Sequence, residues 1–217
     1  LKRGCGSARN SAIENSSGDY VVILDSDNQF ASEECLNRLY DHIVKFKSRF
    51  IISLSADFSG RIISKNLGQS RYIDISTFLN NLEGEFHNTF EGEWIRNNLY
   101  RIYKNCKSEF PMLVNIKVFL ESKNMVSFNN LVMQNYEVTS LKDRISSRNI
   151  FNKSREMRLY NYLIIKSYFT KILFSSPKFT FISIFKMIIY SILNMINNVY
   201  LLKNIIKMSQ NKLFKNK

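Results

Sequence analysis

Gly18-Asp19-Tyr20-Val21-Val22-Ile23-Leu24-Asp25-Ser26-Asp27-Asn28 is the stretch that decides how this chain folds. Tyr20 to Leu24 is an unbroken apolar and β-branched run, the composition of a central strand buried on both faces. The run stops at a carboxylate. Asp25-Ser26-Asp27-Asn28 has the residue types of a tight turn. Aspartates at the carboxyl end of a buried parallel strand also stand where open α/β sheets take their ligands. Two carboxylates one residue apart can hold a hard divalent cation, Mg²⁺ or Mn²⁺, whose charge offsets that of a diphosphate. Spacing alone leaves the turn and the cation site both open.

Working outward, residues 6 to 17 place Ala8, Ala12 and Ile13 on one helical face and stop at Gly18, a natural helix terminator. A helix leading into a buried strand is half of a βαβ unit. Beyond the acidic turn, residues 34 to 46 carry an apolar helical stripe of Cys35, Leu36, Leu39, Tyr40, Ile43 and Val44. Phe50 to Leu54 reads as the next strand. Residues 56 to 70 read as a loop or hairpin, 72 to 82 as a helix, 84 to 112 as irregular with one short helix, 113 to 121 as a helix and 125 to 136 as a strand. From 155 onward the pattern is long, apolar and helical, broken at Ser175-Ser176-Pro177.

The ordered series Ala8-Arg9-Asn10, Ala12-Ile13 and Gly18-Asp19-Tyr20 through Asp25-Ser26-Asp27-Asn28 resembles glycosyltransferase family 2, whose members share the GT-A fold. The resemblance implies an α/β fold: an incomplete GT-A, Rossmann-like nucleotide-sugar-binding domain followed by C-terminal α-helices. It implies that Asp25 faces the nucleotide ribose or a metal-bound water, and that Asp27, within the Asp-x-Asp motif, ligates the metal bridging the donor diphosphate. Arg9 then lies near the nucleotide phosphates, where its planar fork suits anionic oxygens; the competing reading of Arg9 is a surface arginine. The implied metal is Mg²⁺ or Mn²⁺, held by Asp27 and Asp25. The family's opening strands, which hold the nucleobase, have no counterpart ahead of Leu1, so the chain reads as N-terminally truncated.

A second similarity covers residues 84 to 148. Gly84-Glu85-Phe86, Ser108-Glu109-Phe110, Tyr136-Glu137 and Asp143-Arg144-Ile145-Ser146 are similar to the acceptor half of bacterial polysaccharide enzymes of this family. The resemblance makes Glu109 the general base, with Glu85, Glu91 and Glu93 as alternatives. The implied reaction moves a sugar from a nucleotide-diphosphate sugar to a hydroxyl of a glycan or lipid-linked glycan, inverting the anomeric centre, in cell-surface polysaccharide synthesis. The competing reading is a non-catalytic, membrane-associated fragment or remnant of such an enzyme, in which the acidic turn is structural.

The remaining composition bounds the partners. Cys5, Cys35 and Cys106 are odd in number and widely spaced, with only His42 and His87 beside them, which argues against structural zinc and a disulfide framework. No signal peptide follows Leu1. Residues 1 to 150, read as the partial catalytic domain, hold 19 Lys/Arg against 17 Asp/Glu; residues 151 to 217, the helical tail, hold 12 against the single Glu156. The basicity belongs to the tail, which lacks the aromatic-interleaved basic motifs of nucleic-acid binders and fits an anionic membrane surface. The longest uncharged run, Met187 to Leu202, has 16 residues and falls short of a bilayer span. The expectation is therefore a cytoplasmic chain attached peripherally to the inner face of the cell membrane through amphipathic helices.

Overall fold

The computed structural model describes residues 4–81, 83–102, 110–122, 125–136 and 150–215, with side chains in the C-terminal helices described over 154–196. The chain divides into two compact units, Leu1–Arg144 and Ile145–Lys217.

In the first unit, helix α1 (Gly4–Glu14) ends where the Ser16 hydroxyl donates to the Ile13 carbonyl at 2.7 Å, a local bond that competes with further helix. Gly18 therefore serves differently from the expected cap. A Cβ on Gly92 would lie 2.1 Å from the Gly18 carbonyl, so the two backbones meet where only glycine fits at position 92. Strand β1 (Tyr20–Val22) leads to the short β2 (Gln29–Phe30), and helix α2 (Cys35–Phe46) follows. Next come β3 (Phe50–Asp57), buried at every position, β4 (Arg71–Tyr72) and α3 (Ile75–Asn80), capped by Asp74 accepting from the Thr77 amide at 2.6 Å. Then β5 (Phe86–Glu91), α4 (Gly92–Arg96), α5 (Pro111–Glu121) and β6 (Val126–Tyr136) complete the unit.

Among the described residues the sheet runs β1-β5-β3-β6-β2, with β4 also on β6. β3 and β6 are parallel, from Phe50 opposite Val126 to Asp57 opposite Tyr136; the other pairs are antiparallel. Here the structure corrects two expectations. β1 is an edge of this sheet rather than a central strand, and its three residues are half-buried, because β5 occupies the place between it and β3. β5 itself falls in the stretch read as irregular: His87, Asn88 and Thr89 break the apolar run, yet pair with Ser53, Ile52 and Ile51.

Successive residues of β3 face opposite layers. On one side Ile51 joins Leu131 and Met133 beneath Cys35 and Leu39 of α2. The buried face of α2 is turned from the expected stripe toward His42, whose Nε2 lies 2.8 Å from the Ser127 hydroxyl, leaving Leu36, Tyr40 and Val44 exposed. On the other side Phe50 stacks on Phe90 at 4.6 Å, and Phe119 of α5 meets Phe50 edge-on at 6.0 Å while stacking on Phe78 of α3 at 4.7 Å. This aromatic layer fixes α3 and α5 over the sheet.

The second unit is a helical hairpin of α6 (Ile150–Ser175) and α7 (Pro177–Lys215), which pack against one another. Pro177 opens α7 at the position where its missing N–H costs nothing, and the Ser176 hydroxyl accepts from the Phe179 amide at 3.3 Å. The side chains buried here include Ser154, Asn161, Ser176, Thr180 and Ser183 beside Ile164 and Ile172. Pro177–Ile196, 20 residues, is long and apolar enough to cross a membrane by length and composition. The 16-residue count stopped at Lys186, whereas this window takes in Lys178 and Lys186.

Candidate functional site

The site is built where β1 runs out. Beyond Val22 the chain leaves the ladder and closes a turn in which the Asn28 amide donates to the Asp25 carbonyl at 3.0 Å. The turn is thus formed by the same four residues that carry both carboxylates. Asp25 projects back to α1, where Arg9 Nη2 donates to Asp25 Oδ1 and Oδ2 at 2.5 and 2.6 Å and Nε donates to Oδ1 at 3.1 Å. Burial of the guanidinium works against its charge, but the hydrogen bonds and charge of Asp25 outweigh it and hold Arg9 above its ordinary pKa. Ser26 and Asp27 are exposed.

Asn10, the third residue of the Ala8-Arg9-Asn10 run, clamps α1 to the segment after α4. Its Nδ2 donates to the Tyr100 carbonyl at 2.7 Å, and its Oδ1 accepts from the Tyr100 amide at 2.9 Å. This brings Tyr100, itself 4 % exposed, against the Arg9–Asp25 pair. Burial pushes the Tyr100 phenol up to about 12, with the Arg9 charge opposing and that of Asp25 adding. The phenol is a neutral hydrogen-bonding group at physiological pH.

Arg9, Ile23, Asp25, Asn28, Glu85, His87, Tyr100, Asn115 and Gln134 share a cavity of about 340 Å³. Glu85 enters because Gly84 makes the turn before β5 at φ +87°, where a Cβ would lie 1.8 Å from the Ile63 carbonyl. The Gln134 amide donates to the Ser55 hydroxyl at 3.0 Å. His87 is 1 % exposed, and among the described residues neither ring nitrogen has a hydrogen-bond partner. Burial lowers its pKa to about 4; the Ile23 carbonyl and the Asp25 carboxylate oppose this, the carbonyl without meeting hydrogen-bond geometry. The ring is neutral near pH 7.

The structure therefore brings Arg9, Asp25 and Glu85 into one cavity and leaves Asp27 exposed on the adjoining turn. Glu91 and Glu93 stand apart: Glu91 ends β5 and accepts from Arg49 Nε at 2.7 Å, and Glu93 is exposed on α4. Glu109 lies outside the described residues, as do Cys106, Glu137 and Asp143 to Ser146. Pro111 and Met112, just after Glu109 in the chain, line the cavity. Among the described residues no three His, Cys, Asp or Glu side chains cluster as a self-sufficient metal cage. Each Asp25 oxygen accepts from Arg9 and keeps a lone pair, so Asp25 and the exposed Asp27 are the carboxylates of this turn that could hold a hard ion. That fits a hard ion sharing most of its shell with a ligand's phosphates rather than one caged by protein. His87, Tyr100 and Asn115 were missed in the sequence; the only signal for His87 was the rarity of histidine, one of two in the chain.

Residues 2–103 match the model of the family described as glycosyl transferase family 2. No curated protein matches the sequence. Among solved structures, S. aureus TarS (residues 1–349) superposes with a TM-score of 0.53 at 17% identity, over 75% of this chain and 45% of that one. The present chain thus spans less than half the length of that structure, and the likeness establishes an α/β, GT-A-like fold.

Proposed function

We propose, from the match of residues 2–103 to the model of glycosyl transferase family 2, that the chain moves a sugar from a nucleotide-diphosphate donor to a hydroxyl of a glycan or lipid-linked glycan. The reaction is read as inverting and as a step in cell-surface polysaccharide synthesis. The observation that carries this reading is the end of β1: Arg9 locked in a fork on Asp25 beside a cavity, with Asp27 exposed on the same turn. A guanidinium already oriented by a carboxylate meets phosphate oxygens with little further ordering. Asp27 is the residue to hold Mg²⁺ or Mn²⁺ against the diphosphate, and the bound ion would stabilise charge on the leaving group. Asp25 acts first as the anchor of Arg9 and second as a contact to the ribose or a metal-bound water. A carboxylate takes the acceptor proton; Glu109 is the first candidate and Glu85, which lines the cavity, the second.

Transfer of radiolabelled sugar from a panel of sugar nucleotides onto glycan and lipid-linked acceptors, with and without Mn²⁺, tests the assignment. Asp27→Ala should lose metal-stimulated transfer while remaining folded; full metal stimulation in that variant would overturn it. Glu109→Gln should lower turnover by about 10²-fold with donor affinity nearly unchanged. If Glu85→Gln shows that loss and Glu109→Gln does not, the base is Glu85.

The helical unit is proposed to hold the chain on the cytoplasmic face of an anionic membrane. Phe181, Ile182, Phe185, Ile188, Ile189 and Ile192 fall on one side of α7 and are exposed, and the surrounding charge is almost wholly basic. A one-sided apolar face with lysines suits a helix lying in the interface. Flotation with anionic liposomes should recover the chain at low salt and lose most of it at high salt. Recovery that resists both salt and carbonate would mean a spanning α7, and no recovery would refute membrane binding.

A further inference from the structure

Most buried polar groups in folded proteins have a hydrogen-bond partner, and an exception asks for an explanation. Among the described residues eight buried side-chain atoms lack one, on Ser48, Ser53, His87, Thr89, Asn115, Ser122 and Asn129. Of these residues, His87 and Asn115 line the cavity beside Asp25. They come from different elements, β5 and α5, so no single local distortion accounts for both. His87 is 1 % exposed and Asn115 6 %.

The chemistry of these atoms defines what satisfies them. A neutral imidazole offers one donor and one acceptor, and the orphaned Oδ1 of Asn115 offers an acceptor only. A hydroxyl, which both donates and accepts, matches either group. A phosphate or carboxylate matches them poorly, because it brings acceptors to Asn115 Oδ1 and to one imidazole nitrogen. The charged residues Arg9 and Asp25 line the same cavity, so an anionic group and a neutral polyhydroxyl group of one ligand find separate partners. We infer that His87 and Asn115 form a subsite for the sugar ring of the donor, reading its hydroxyl or amide groups, while the Arg9–Asp25–Asp27 end of the site takes the diphosphate. This rests on the glycosyl-transfer reading and adds to it the two residues that choose the sugar. As a positioning pair they act on the ligand's affinity and identity, with no proton transferred.

The two-histidine composition makes the test direct, since ¹⁵N-detected imidazole resonances can be assigned with a His42→Gln variant. The full chain is titrated with a nucleoside diphosphate, with the matching sugar nucleotides and with the free monosaccharides, all in the presence of Mg²⁺. The inference predicts that sugar nucleotides and the matching free sugars shift both His87 nitrogens, whereas the bare diphosphate shifts neither. It predicts further that His87→Phe and Asn115→Leu each weaken sugar-nucleotide binding by about tenfold, the worth of one net hydrogen bond, and leave diphosphate binding unchanged. A diphosphate that binds while an attached sugar adds neither affinity nor a His87 shift would overturn the subsite and leave the transferase reading standing. Free sugars that shift His87 in a chain that binds no nucleotide would uphold the subsite and remove the transferase reading. If no ligand moves His87, the subsite is refuted, whether or not the two variants fold.

Discussion

The β1/β5 ladder is finished at one end and left open at the other. At the Glu91 end the polar groups are paired: Arg49 holds the Glu91 carboxylate, the Gly92 amide donates to the Asp19 carbonyl at 2.6 Å, and Arg96 Nη1 donates to the Gly18 carbonyl at 3.1 Å. At the Asp25 end the strands separate, both His87 nitrogens lack a partner among the described residues, and a cavity opens. Both ends are made from the same two strands. Pairing, not polarity, distinguishes the two ends: one is closed by Arg49 and Arg96, and the other leaves buried His87 beside an open cavity.

That contrast breaks if changes at the closed end fail to cost stability or changes at the open end cost much of it. The largest effect belongs to the aromatic layer beside the closed end. Phe90→Ala removes a fully buried ring from the Phe50 and Trp94 stacks and should cost about 3–5 kcal/mol in urea unfolding. A loss below about 1 kcal/mol would mean that the layer is not packed as described.

Next comes pH. Burial lowers both His42 and His87 to about 4 against an ordinary 6.5, with Lys45 adding to the effect at His42. A depressed histidine pKa makes the unfolded chain bind protons first as pH falls. Stability is therefore complete above about pH 6.5 and declines between 6.5 and 4, by on the order of 3 kcal/mol for each ring. His87→Gln and His42→Gln should each flatten that decline, visible in urea midpoints measured across the window. An unchanged slope in both variants would place the rings in water.

Gly92→Ala sets a methyl group against the Gly18 carbonyl at the closed end and should cost about 1–3 kcal/mol. Its urea midpoint should fall accordingly, and a wild-type midpoint would deny the close approach of the two backbones. The smallest stability effect is expected at the open end. Arg9→Met breaks a pair whose side chains are 23% and 40% exposed, so solvent screening limits its loss to under about 1 kcal/mol. The same variant should lose most of its affinity for nucleoside diphosphate, and a large stability loss with intact binding would reverse the roles of the two ends.

Much of this architecture is legible in the residues. The helical break at Ser176-Pro177 is written in local chemistry, and residues 125 to 136 read as the strand that the structure places at β6. Arg9, Asp25 and Asp27 stand in the ordered series that carries the family resemblance; the structure joins Arg9 to Asp25 and leaves Asp27 exposed on the same turn. β5 was not legible because its buried polar residues depend on neighbours distant in sequence: His87 faces Ser53, and Thr89 faces Ile51. The edge position of β1 follows from that same strand. The burial of His42 on α2 likewise depends on the Ser127 hydroxyl, 85 positions away. What local pattern cannot carry is partner identity across the sheet, so the place of His87 in the cavity lining is not written in its sequence neighbours.

The turn after β1 is proposed as the place where metal and diphosphate meet. Mn²⁺ binding followed by electron paramagnetic resonance, with and without nucleoside diphosphate, tests it most directly in the wild-type chain and in Asp27→Ala. Diphosphate should strengthen Mn²⁺ binding to the wild-type chain, and Asp27→Ala should abolish this cooperation while its stability in urea stays within about 0.5 kcal/mol of wild type. Equal cooperation in the two proteins would contradict it.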